Sequence, residues 1–160
     1  MRQDRFLIAI LAAIAILVLA ALGLFFVRQG SRTYLPEDRP EAVVSNYVLA
    51  LEMEDYRRAY SYLEDGAGKP TFEAFRQAIL LREVDTGRAA LQIGEAHTED
   101  GEAVVELTVI HTGSGPFADV YREPASALLV IDESGQWKIA MLPNPFWSWS
   151  WYTRPPAKPQ

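Results

Sequence analysis

The chain has 160 residues, no cysteine and a formal net charge of −6. Its length accommodates one domain with a real core rather than two. The missing cysteine excludes disulfides and zinc-thiolate sites. The acidic surplus excludes nucleic acid as a partner, because binding it depends on neutralising phosphates with Lys and Arg.

The first element is the run from Phe6 to Val27, which has no charged or polar side chain. At ~1.5 Å per residue it would extend roughly 33 Å, matching the ~30 Å hydrocarbon core of a bilayer. It is longer than the ~7–15 apolar residues of a cleavable signal peptide, and no small-x-small site follows. The reading is therefore an uncleaved signal anchor, residues 1–27, that spans a plasma membrane once and touches the lipid bilayer through residues 6–27. Arg2 and Arg5 precede the run and Arg28 and Arg32 follow it. This balance barely orients the helix, and the short tail favours an extracytoplasmic domain. Ala9 and Ala13 form a small-xxx-small pair, which leaves a homodimer open.

Residues 28–39 read as a polar linker. From 40 to 152 the pattern is that of one α+β domain. Pro40 suits the first turn of a helix, and Val43, Val44, Tyr47, Val48 and Leu51 recur at helical spacing. After a break near Glu54 and Asp55, Tyr56, Ala59, Tyr60 and Leu63 mark a second helix. Glu64 to Pro70 is a loop. Thr71 caps a third helix over residues 71–84, with Phe72, Phe75, Ile79 and Leu80 on its apolar face.

Beyond Gly87 the period becomes two. Ala89, Leu91 and Ile93 form one strand face, Thr98 to Gly101 a hairpin turn, and Val105, Leu107 and Val109 the next face. The segment HTGSGPF is a loop. A strand from about Ser126 to Ile131 turns at Asp132–Gly135 into Trp137, Ile139 and Met141. Three helices followed by about four strands imply helices packed on one face of an antiparallel sheet. Residues 153–160 read as a disordered tail.

The helical stretch runs Pro40-Glu-Ala-Val-Val-x-x-Tyr47-x-x-Ala50-Leu51, then Asp55-Tyr56-x-x-Ala59-Tyr60-x-x-Leu63, and the closing strand carries Gly135-Gln136-Trp137-Lys138-Ile139. Over Pro40 to Leu142 this resembles the nuclear-transport-factor-2-like superfamily, with its cystatin-like cone. It departs from that pattern at Glu54, where a glycine is common. The resemblance implies a cone with a pocket, in a bacterial membrane-anchored member of unknown function. Some relatives are isomerases or dehydratases and many are non-catalytic binding modules.

Candidate site residues follow from alternation. His111 falls on the face of Val105, Leu107 and Val109, while His97 and Glu95 fall on the face of Ala89, Leu91 and Ile93. Lining one pocket, they could transfer protons near neutral pH; the other reading is polar residues at strand ends. Asp119 and Tyr121 could mimic an isomerase's acid and phenol, or be a solvated strand-edge pair. No metal site is expected, since there is no H-x-x-x-H and no calcium-loop spacing, and no cofactor is expected. In PNPFWSWSWY, an extended chain would place Trp147, Trp149 and Trp151 on one side. They could complete the core, cover the mouth of the cone, bind a partner, or sit at a membrane interface.

Two functions remain in view. One is a membrane-tethered, non-catalytic binding or assembly domain that takes a protein partner or a small hydrophobic ligand. The other is an isomerase- or dehydratase-like enzyme acting on a small hydrophobic substrate.

Overall fold

The computed structural model describes residues 10–22, 33–87, 89–112 and 119–152. The chain divides into two compact units, Met1–Thr33 and Tyr34–Gln160.

In the first unit, residues 10–22 form a helix, α1, whose side chains are exposed throughout. Among the described residues no helix is long and apolar enough to cross a membrane. This corrects the expected anchor over Phe6–Val27, together with the single-pass plasma-membrane placement and the lipid contact that rested on it. The rest of the expected span (6–9 and 23–27), linker residues 28–32 and the tail 153–160 lie outside the described residues.

The second unit is α+β, with a four-stranded antiparallel sheet in the order β1-β2-β3-β4. Helix α2 is Pro40–Glu52, α3 is Tyr56–Ser61 and α4 is Phe72–Leu80. The strands are β1 Ala89–Glu99, β2 Glu102–Thr112, β3 Val120–Ile131 and β4 Trp137–Met141. Helix α2 lies across β1, β2 and β4, and α3 and α4 follow beside it. The predicted order of helices and meander strands is the order found.

The helix ends explain the breaks between them. Helix α2 closes with Glu54 at φ +58°, Glu54 N–H on the Leu51 carbonyl and Asp55 N–H on the Ala50 carbonyl. That pair of bonds is a Schellman closure, which usually recruits glycine for its left-handed residue. The glutamate at position 54 therefore keeps the geometry that glycine would ease. Asp55 then caps α3 by accepting from Arg58 N–H at 3.2 Å. Helix α4 ends the same way at Arg82, φ +60°, with Glu83 N–H on the Ala78 carbonyl. It stops short of the expected residue 84, and Leu80, expected in the core, is exposed while Ala78 is buried.

Strands β1 and β2 join through Asp100 and Gly101, both at positive φ (+49° and +83°). Two left-handed central residues give the type I′ turn that matches strand twist. Strand β3 starts at Val120, six residues before the predicted start. Pro124 hides this extension, because proline is disfavoured inside a sheet. It is tolerated because β4 pairs with Leu128–Ile131, so among the described residues the flank of β3 at Pro124 has no partner strand.

Two irregularities decide which side chains face the core. The β1–β2 register shifts between Ile93 and Ala96, placing Gly94 and Glu95 in a bulge. At Gly94 an added Cβ would lie 3.1 Å from the Glu106 carbonyl oxygen and 3.2 Å from its Cβ. The neighbouring backbone is held by the sheet ladder and cannot yield. Gly94→Ala is therefore expected to destabilise the fold by about 1–2 kcal/mol, measured by urea unfolding. The β3–β4 register shifts between Leu128 and Leu129, which makes Met141 the partner of Leu128 rather than a neighbour of Ile139 on the core face.

The core between helices and sheet contains Tyr47, Phe75, Phe146, Leu63, Leu129 and Ile139, all fully buried. Asn46 is buried among them and bonds the backbone of Leu35 twice, at 2.7 and 2.8 Å. That pair holds the segment before Pro40 against α2.

Candidate binding cleft

The bulge in β1 separates the two histidines. After Glu95 the phase of the strand inverts, so Ala96 takes the core side and His97 faces outward opposite Val104. His97 Nε2 lies 3.7 Å from Glu106 Oε1, with both side chains mostly exposed. His111 stays on the core side of the sheet, near the end of β2, with Nε2 3.5 Å from Glu123 Oε2. Val104 and His111 are seven residues apart on β2, roughly 23 Å at ~3.3 Å per residue. The expected His97–His111–Glu95 group is thus not assembled. Simple alternation missed this because a bulge adds one residue and reverses every later side chain.

Tyr121 and Asp119 are both exposed. The Tyr121 ring stacks on His111 with centroids 6.0 Å apart, while Asp119 is exposed ahead of β3. Among the described residues no group of three or more His, Asp or Glu is placed to hold a metal ion.

The three tryptophans do not share one side. Residues 142–152 run as successive turns rather than as a strand, with Phe146 N–H on the Pro143 carbonyl and Trp151 N–H on the Ser148 carbonyl. Trp147 and Trp151 are each 6% exposed and Trp149 is 83% exposed. Trp151 stacks on Phe75 at 5.2 Å and meets Trp147 edge-on at 5.1 Å. The Tyr47 hydroxyl donates to the Phe146 carbonyl at 3.0 Å. Ser148, also buried, donates to Glu83 Oε2 at 2.8 Å. Gly68 gives close passage to Tyr152, whose hydroxyl donates to the Glu64 carbonyl. The segment is thus bound to α2, α4 and the 64–70 loop, and Trp149 is left projecting.

Beside Trp149 are two adjoining clefts. One, of about 250 Å³, is lined by Met141, Leu142, Pro143, Trp147 and Trp149, with Ser126 at its edge. The other, of about 500 Å³, shares Met141, Leu142, Trp147 and Trp149 and adds Leu128 and Tyr152. Burial, and then the charges of Glu64 and Asp65, raise the Tyr152 pKa, so its hydroxyl stays protonated at neutral pH. The walls of the smaller cleft are almost wholly apolar, the larger also carries Glu64 and Ser148, and both open to solvent. The sequence pattern marks neither Leu128 nor Val104, and it puts Met141 on the face of Trp137 and Ile139. The readable signal was the unbroken apolar runs 103–105 and 127–131, which place apolar residues on both faces of a strand.

No family model matches the chain, and no curated protein matches it. Among solved structures, it is similar to the solution structure of a SEC-C motif containing protein from Rhodopseudomonas palustris. The identity is 13%, the match covers 74% of this chain and 84% of that chain, and the TM-score is 0.46. Similarity at this level carries no inference about the chemistry of this chain. The resemblance to the nuclear-transport-factor-2-like superfamily is corrected by these findings. No family model supports membership. The residues that carried the resemblance explain the error. Tyr47, Ala50, Ala59 and Leu63 are buried packing residues, and any amphipathic helix laid on a sheet needs apolar groups at those spacings.

Proposed function

We propose that the α+β unit is a non-catalytic binding module that receives an apolar segment of a partner protein in the clefts beside Trp149. The observation that carries this reading is an indole 83% exposed at the mouth of an apolar cleft. Tryptophans of this kind dominate interface energetics when they become buried against a partner. An extended apolar segment fits better than a small molecule. Small-molecule sites enclose most of their ligand and fix it with a few converging polar groups. Here the clefts are open and continue onto the outer sheet face through Leu128.

The test is selection of peptides from a random display library against the full chain. Enriched peptides are expected to carry two or three large apolar residues. Their affinity should fall at least roughly tenfold in Trp149→Ala, in keeping with a hot-spot loss of ~2 kcal/mol or more, while the unfolding midpoint stays in place. Binding that ignores Trp149→Ala, or a library that yields no binder, overturns the reading.

A further inference from the structure

The outer face of the sheet, away from the helices, extends the Trp149 clefts in one direction. Cross-strand register sets His97 opposite Val104, Val104 opposite Leu128 and Leu128 opposite Met141. Val104 and Met141 are exposed apolar side chains. An apolar track therefore crosses three strand spacings, roughly 14 Å, from the Trp149 cleft to β1. At its β1 end it enters an acidic surface. Glu106 and Glu102 flank Val104 on the outward side of β2, Glu99 faces Glu102 across the hairpin, and Asp100 is in the turn. All four are exposed.

The cations on this face lie elsewhere. Lys138 is turned to the β4 edge, with Nζ 3.0 Å from the Ser61 carbonyl and 3.8 Å from Asp132. Arg122 is six residues along β3 from Leu128, roughly 20 Å away. His97 sits within the acidic group, beside Glu106.

Resting on the reading that the Trp149 clefts receive a partner segment, we infer that this segment is cationic beyond its apolar anchors, its Lys or Arg side chains meeting Glu99, Glu102 and Glu106 at the β1 end of the track. About four or five extended residues span the distance, so the basic residues follow the anchors by that number. Charge complementarity at an exposed rim orients a segment and speeds its capture more than it adds affinity. The same complementarity disfavours a second copy of this chain, whose net charge of −6 would be brought against the acidic surface.

The test repeats the library selection on the full chain and on a triple variant, Glu99→Gln, Glu102→Gln and Glu106→Gln. These three side chains are exposed, and denaturant midpoints check that both proteins are equally folded. Peptides enriched on the native chain should pair an apolar stretch with Lys or Arg. On the triple variant the apolar stretch should remain and the basic enrichment disappear. A peptide selected on the native chain should bind the variant roughly tenfold more weakly at low salt, and the two proteins alike at ~1 M salt, where the screening length is ~3 Å. Basic residues that are absent, or equally enriched on both proteins, overturn this inference while leaving the Trp149 reading intact. Binding independent of Trp149 overturns the reading beneath it. Self-association of the full chain that is lost in Trp149→Ala makes the occupant a second copy, and so overturns the cationic partner.

Discussion

Trp151→Ala is expected to lower the free energy of unfolding by about 3–5 kcal/mol, and Trp149→Ala to change it by no more than about 0.5 kcal/mol. The two residues are one strand repeat apart in sequence and opposite in environment, at 6% and 83% exposure. Removing the Trp151 indole leaves a cavity against Phe75 and Trp147, its ring neighbours at 5.2 and 5.1 Å. Those rings belong to α4 and to the C-terminal turns, which are held elsewhere by the Tyr47–Phe146 and Tyr152–Gly68 bonds. The site therefore collapses only in part, and the cavity term persists. Against the ~5–15 kcal/mol total stability of a domain, the loss is a large fraction. Urea unfolding of both single variants gives the comparison. A double-mutant cycle with Phe75→Ala should show a coupling of about 0.5–1.5 kcal/mol for the stacked pair. Equal costs at positions 149 and 151 would contradict the assignment of one to the core and the other to the cleft.

The second large effect is expected at Asn46. Asn46→Leu keeps the branching of the side chain, with somewhat greater bulk, but removes the donor and acceptor that hold the Leu35 carbonyl and N–H at 2.8 and 2.7 Å. A buried backbone group left without a partner costs about 1–3 kcal/mol. Leu35 itself is exposed, so water can reach part of its backbone, and a total of about 2 kcal/mol is expected. Amide exchange at Leu35 should also accelerate in Asn46→Leu, since its N–H loses the acceptor. An unchanged unfolding midpoint together with unchanged exchange at Leu35 would show that Asn46 does not hold the segment.

Much of the fold was legible because it depends on local chemistry. The spacing of Val43, Val44, Tyr47 and Leu51 places one apolar stripe on α2, and all four are buried. Asp100-Gly101 is the dipeptide that a type I′ hairpin calls for. The candidate site was legible only in part. Trp149 was singled out, but with Trp147 and Trp151 as one row, because the extended conformation assumed for residues 143–152 is replaced by turns. His97 and Glu95 were assigned to the core side because no sequence pattern announces where a strand will accept a bulge. The family resemblance was drawn from packing positions, which many unrelated helix-on-sheet proteins need.

By itself, the sequence determined the α+β class, the order of three helices and four meander strands, and the exclusion of cysteine chemistry. Each follows from period, turn residues or composition, and those act over a few neighbouring positions. Only the tertiary structure decided which tryptophan is free, which face His97 takes, and that Met141 joins Leu128 and Val104 on the outer sheet face. Those outcomes depend on register and on contacts between segments up to 99 residues apart, as at Tyr47 and Phe146. The energy of such contacts belongs to pairs of distant residues, and no local window contains both.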